Sequence, residues 1–178
     1  MSGDVAVRDV TGALHLESVS GKIQVTGAPA EVSARSTSGD VTVDASTPQA
    51  RARSVSGAVR VRGARTSAQV ESVSGSCDVS GGPFERVEAR TVSGAVTLDG
   101  SLASQGSIEI HTHSGNVRMI VPAATSGEFE IRSHHGTLTS RLGADRSNTG
   151  SLEFKAGSGG PVVRVRTFSG DVGIEARK

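Results

Sequence analysis

The residues of this chain best suited to chemistry are its histidines. His111 and His113 are two apart, His134 follows 21 residues after His113, and His135 is beside it. Imidazoles brought within a few ångströms of one another can share a divalent cation, so His111, His113 and His134 form a candidate metal cluster. No well-placed carboxylate completes the set, and the alternative is an exposed polar corner without a ligand. A second group is basic. Arg51, Arg53, Arg60 and Arg62, with Arg35 and Arg65 near them, form a candidate anion patch for a phosphate or an acidic polysaccharide. No aromatic side chains are interleaved with these arginines, which argues against base stacking and against nucleic acid as a partner. Acid–base catalysis on a polysaccharide would require clustered carboxylates. Asp4, Asp40 and Asp171 each follow a Ser-Gly pair, but the equivalent residues elsewhere are Lys22, Ala58, Ser76, Ala95 and Asn116, so no cluster is built. Ser-His-Asp sets and phosphate loops are lacking too. The expectation is a non-enzyme without a cofactor, with a polysaccharide-acting enzyme as a minor alternative.

What positions these residues is a repeat. "SVSGKIQV" begins at Ser18 and returns as "STSGDVTV" at Ser36, "SVSGAVRV" at Ser54, "SVSGSCDV" at Ser72 and "TVSGAVTL" at Thr91. Counting from Gly3, the motif glycines Gly21, Gly39, Gly57, Gly75, Gly94, Gly115 and Gly136 come at steps of 18, 18, 18, 18, 19, 21 and 21 residues, and the motif appears again at Gly170. Seven and five residues before each of these later glycines the side chains are apolar, as in Ala50 and Ala52 or Ile108 and Ile110, with polar residues between. Two and four residues after the glycine the apolar pattern resumes, as in Val59 and Val61 or Val96 and Leu98. Alternation of this kind marks half-buried strands, two per repeat. The glycines mark the turn between them, where a positive φ or a crowded backbone excludes a Cβ. Small hydroxylated residues one and three positions earlier, such as Ser54 and Ser56, suit a tight corner where they bond to one another and to turn backbone.

One such coil cannot fold alone. It buries about four apolar side chains at roughly 1.5–3 kcal/mol for each larger one, against about 1–2 kcal/mol per residue of backbone ordering. Stacking the coils about 4.8 Å apart satisfies the backbone and builds a continuous core. The period predicts an all-β fold, a parallel β-solenoid with two main strands per coil of 18–21 residues, right-handed by the crossover rule. A transmembrane barrel would need an apolar outer face, where this chain has Arg, Glu and Gln. A propeller would need a period of about 40 residues. The whole of 1–178 reads as one domain, with regular coils over 1–142 and an irregular, capping C-terminal part over 143–178. Stacking in chain order sets His134 directly on His113, and Glu88, Glu109 and Glu130 in one column beside Arg90, His111 and Arg132.

Bulk properties add exclusions. A net charge of +1 gives no overall bias toward polyanions. A single cysteine, Cys77, rules out an internal disulfide, and its place in an apolar column predicts a buried thiol acting as a small hydrophobe. Neither a leader nor a run of about 20 apolar residues is present, so the chain as it stands is expected to be cytoplasmic, with no transmembrane segment.

The in-phase "SVSGAVRV" and "STSGDVTV" signatures, with the closing "VRVRTFSGDVGIEA", resemble the bacterial adhesin-type β-strand-repeat family, a family of unknown function. The resemblance spans essentially the whole chain. It implies a β-helical fold, association with the cell envelope, and no catalytic residues to carry over. Two functional expectations follow. The first is a non-catalytic, adhesin-like scaffold of the envelope that binds a protein or envelope polymer on its strand faces. The second is a self-assembling, bactofilin-like polymer former that joins copies through the N-terminal coil, where Met1–Val7 offers no cap.

Overall fold

A computed structural model describes residues 3–142, 146–147 and 150–177. All regular structure in it is β. The first half contains β1 (Val5–Val10), β2 (Ala13–Ser18), β3 (Ile23–Gly27), β4 (Glu31–Ser36), β5 (Val41–Ser54), β6 (Val59–Ser72) and β7 (Cys77–Ser93). The second half contains β8 (Val96–Ser114), β9 (Val117–Pro122), β10 (Gly127–His135), β11 (Leu138–Ser140), β12 (Arg146–Ser147), β13 (Ser151–Ala156), β14 (Val162–Ser169) and β15 (Val172–Arg177). Successive coils pair in parallel register at the repeat period. Val5, Ile23, Val41, Val59, Cys77 and Val96 form one ladder column. Leu14, Val32, Ala50, Ala68, Val87 and Ile108 form another. This is the parallel β-solenoid that the alternation predicts. The inward columns make a narrow core of Val, Ile, Leu and Ala. The extra residues of the 19- and 21-residue coils are absorbed at the far corner, where the register shifts between Gly81, Phe84 and Arg86 and the Phe84 ring is fully buried.

The motif corner is held by three columns. A Cβ on Gly57 would overlap the carbonyl oxygen of Gly39, and the same clash with the neighbouring motif glycine recurs along the stack. Crowding, and not a positive φ, therefore imposes glycine at Gly21, Gly39, Gly57, Gly75, Gly94 and Gly115, whereas Gly136 and Gly170 also have φ of 151° and 143°. Three residues earlier, a buried serine staples each coil to the previous one. Ser54 Oγ donates to the Gly39 carbonyl at 3.0 Å and accepts from Gly57 N–H at 3.0 Å. One residue after the glycine, an acidic or amide side chain does the same for the strand that follows: Asp4 accepts from Lys22 N–H, Asp40 from Ala58, Asn116 from Asp171 and Asp171 from Thr137, at 2.8–3.0 Å.

The serine column becomes threonine at Thr91, Thr112 and Thr167, and the corner changes with it. Here the glycine N–H groups bond directly to the next coil: Gly94 to Ser114 O at 3.1 Å, Gly115 to Ser169 O at 2.9 Å and Gly170 to His135 O at 2.8 Å. The hydroxyls of Thr112 and Thr167 are left buried with no hydrogen-bond partner.

One expectation fails. The coils do not stack in chain order, because β14 lies between β8 and β10 and β15 lies between β9 and β11. The coil carrying Gly170 therefore sits inside the stack, between those of Gly115 and Gly136. The insertion changes the outward charge pairing, with Arg166 now beside Arg132. Glu109 and Glu130 would be adjacent like charges in chain order, and Arg164 now sits between them, 3.8 Å from the first and 3.4 Å from the second. Of the irregular segment 143–178, β12 and β13 cover the end of the stack, pairing antiparallel with β11 and β10. Phe154 of β13 stacks on Phe129 with ring centroids 4.8 Å apart. Residues 143–145, 148–149 and 178 lie outside the described residues, as do Met1 and Ser2.

The corner chemistry separates two hydroxyl deletions. Ser54→Ala leaves a buried carbonyl and a buried N–H unpaired and should lower unfolding stability by about 1–3 kcal/mol. Thr112→Val removes a hydroxyl that bonds to nothing and should leave stability within about 1 kcal/mol or raise it. Denaturant unfolding of the two variants checks both.

Candidate functional site

The histidine cluster does not assemble. Phe168 occupies the equivalent position in the inserted coil and lies between His113 and His134, stacked on the first with centroids 5.0 Å apart and tilted against the second at 5.4 Å. Insertion doubles the spacing of His113 and His134 to about 9.6 Å, two ladder steps, far beyond what one ion with bonds near 2 Å can bridge. His111 now has Arg166 as its ladder neighbour. Among the described residues no group of three or more His, Cys, Asp or Glu side chains is arranged to hold a metal ion.

The arginines divide between two ladders. Arg51 and Arg53 lie on the strand before the turn, beside Gln69 and Glu71, whereas Arg60 and Arg62 lie on the strand after it, beside Asp78 and Ser80. Four of the basic residues have a carboxylate partner: Arg51 with Glu31 at 3.5 Å, Arg60 with Asp78 at 3.7 Å, Arg35 with Glu17 at 3.8 Å, and Arg53 with Glu71. These are exposed pairs of small energetic weight, but they dilute the local positive charge. The Glu88, Glu109 and Glu130 column is likewise neutralised by Arg90, Arg164 and Arg132.

A different feature is assembled by the fold. The residue two before the motif glycine points outward at the corner, and in register this position reads Val19, Thr37, Val55, Val73, Val92, His113, Phe168 and His134. Among the described residues, the large hydrophobic side chains left exposed, Val19, Val55, Val73, Val92 and Phe168 at 44–55%, all fall in this one column. The result is an outward row about 34 Å long, seven ladder steps, apolar without a break from Val55 through Val73 to Val92 and interrupted elsewhere by Thr37, His113 and His134. Next to it runs a trough of about 620 Å³ with Val55, Val73 and Val92 on one wall and Arg53, Glu71, Arg90 and His111 on the other. Its floor is the hydroxyl column of Ser54, Ser72, Thr91 and Thr112. The sequence carries this signal as the valine of "SVSG", visible only when the outward columns are compared with the inward ones.

The thiol of Cys77 is fully buried in the core column, as its position predicts. Burial foremost, then the charges of Asp78 and Glu71, push its pKa up to about 12, so it stays protonated and unreactive at neutral pH. The Toastrack DUF4097 family model matches residues 1–66 and, overlapping, 32–175. The chain belongs to this family of bacterial β-strand-repeat domains of unknown function. No curated protein and no solved structure matches it. Among the described residues, no helix is long and apolar enough to cross a membrane.

Native protein at pH 8 should resist alkylation by iodoacetamide at Cys77 while denatured protein reacts fully. Intact-mass spectrometry follows the reaction, and rapid labelling of the native chain would contradict the assigned burial.

Proposed function

We propose that this chain is a non-catalytic, adhesin-like interaction module of the bacterial envelope that engages a protein partner along its corner ridge. The observation that carries this reading is the gathering of the exposed large hydrophobic side chains into one line, flanked by a trough with alternating charge. Scattered exposed valines would need no explanation, but three stacked valines, Val55, Val73 and Val92, extended on either side by Val19 and Phe168 and rimmed by polar groups, are the mark of an interaction surface. A protein partner fits better than a sugar polymer, because the trough walls offer valine and salt-bridged arginine in place of the aromatic platforms on which sugars stack. The envelope setting is supported by the family resemblance of the repeat signatures.

The test replaces Val55, Val73 and Val92 together by serine, a change that the exposed Thr37 in the same column shows to be compatible with the corner. The triple variant should keep its melting temperature within a few degrees and lose at least tenfold in retention on isolated bacterial envelopes. Trypsin treatment of those envelopes should abolish retention of the unaltered chain. Equal retention of variant and unaltered chain would overturn the reading.

A second reading, end-to-end assembly of bactofilin type, is favoured by the first coil. Among the described residues β1 pairs only with β3 and β2 only with β4, leaving one edge of each open, with Val5, Leu14 and Leu16 only partly covered. Against it, β1 is interrupted by a bulge between Val7 and Val10 with Asp9 at φ 55°, a device that blunts an edge. Sedimentation velocity across a concentration series decides: polymers abolished by Val5→Asp support assembly, and a monomer throughout removes it.

A further inference from the structure

The inserted coil sets up a relation between copies that is separate from the ridge. Each coil up to β8–β9 is laid on the one just before it in the chain. The last one instead fills a slot whose two walls, β8–β9 and β10–β11, are both complete before residue 161. Its filler is one contiguous C-terminal piece, β14 and β15. Val163 and Val165 pair with Ile108 and Ile110 on one side and with Phe129 and Ile131 on the other. Val172 and Ile174 pair with Val117 and Met119, and Val172 also with Leu138.

Charge ties the piece to both walls. Arg164 bridges Glu109 and Glu130, Glu175 accepts from Arg118 at 2.8 Å, and Arg177 pairs with Asp99. The hydroxyl staple that binds each serine coil to its neighbour is missing on one side, since Thr167 makes no bond to Gly115. The piece hangs on Gly157, Ser158, Gly159 and Gly160, whose glycines have φ of 69°, 123° and 144°. That linker steps over one strand only, because Ala156 pairs with Gly127 on the outer side of β10 while Val162 pairs with Glu128 on its inner side.

Nothing in an in-register parallel ladder distinguishes a strand of the same chain from that of an identical one. We infer that the slot between β8–β9 and β10–β11 accepts the β14–β15 segment of a second copy, so that two chains can exchange their last coils reciprocally and form a dimer at the covered end of the stack. Exchange preserves every ladder and ion-pair contact named above. It requires only that the glycine linker open outward, the usual low-cost route to a swapped dimer. Ile110, Met119 and Ile131 of the slot walls are buried once residues 161–177 are in place, so chains folding at high concentration can meet each other's slots before the insert fills them.

The test uses the full chain with Cys77→Ser and two single-cysteine variants, His111→Cys and Arg166→Cys, which are ladder neighbours across the slot. Both together in one chain should form an intramolecular disulfide when refolded dilute, showing that slot and insert are in place. The two single variants are then mixed unfolded, refolded at low and high concentration, and oxidised. A disulfide-linked heterodimer rising with concentration, at least tenfold above mixtures of the already folded proteins, is expected. Dimers by light scattering without that cross-link would mean association through another surface and would overturn the inference, as would monomers at every concentration.

Discussion

The close approach of one turn to the next at the motif corner is the constraint on which the rest of the molecule depends. A motif glycine without a Cβ lets its backbone sit directly over the carbonyl of the neighbouring one, and a column of such contacts sets the coils at ladder spacing. Around it, Ser18, Ser36 and Ser54 each donate to the neighbouring coil's glycine carbonyl and accept from their own coil's glycine N–H, and Asp40 and its equivalents tie the start of the next strand. With the corner spaced in this way, the inward valines and alanines need only be small and in phase to form a core. The same spacing turns the outward valines into a ridge, so the surface with functional promise is a by-product of the corner that holds the fold.

The inserted coil shows how little a ladder cares about chain order. Each coil offers the same hydrogen-bonding pattern and nearly the same apolar columns, so the backbone alone cannot choose between stacking orders. The outward side chains are where the two orders differ. Arg164 between Glu109 and Glu130 relieves a repulsion that chain order would create, and Phe168 fills the space between His113 and His134. The threonine coils, one of them the insert itself, route their glycine N–H groups into the neighbouring backbone, extending the ladder through the corner and leaving the Thr112 and Thr167 hydroxyls idle.

The readings of individual residues divide along the same line. Alternation and period were enough to place Val59, Val61, Ala50 and Ala52 inward and to bury Cys77, because those inferences need only strand phase. The aspartates after Gly3, Gly39 and Gly170 form no cluster in the sequence, but the reason they are there, accepting an amide from the neighbouring coil, becomes visible only in the geometry of the turn. The histidine and arginine groupings depended on which coils are adjacent and which strand of a coil faces which side. The insertion separates the first, and the structure sets Arg51 and Arg53 on one ladder and Arg60 and Arg62 on another.

The sequence by itself determined the solenoid: its period, its two strands per coil, its glycine corner and its narrow core. These follow from local sterics and from side-chain alternation, which repeat identically and can be read without knowing any long-range contact. Only the tertiary structure decided the order of the coils, the covered end made by β12 and β13, and the exposed line from Val19 to His134. Those depend on charges and rings meeting across segments far apart in the chain, and a repeat written in nearly identical copies carries no local mark of which copy will be its neighbour.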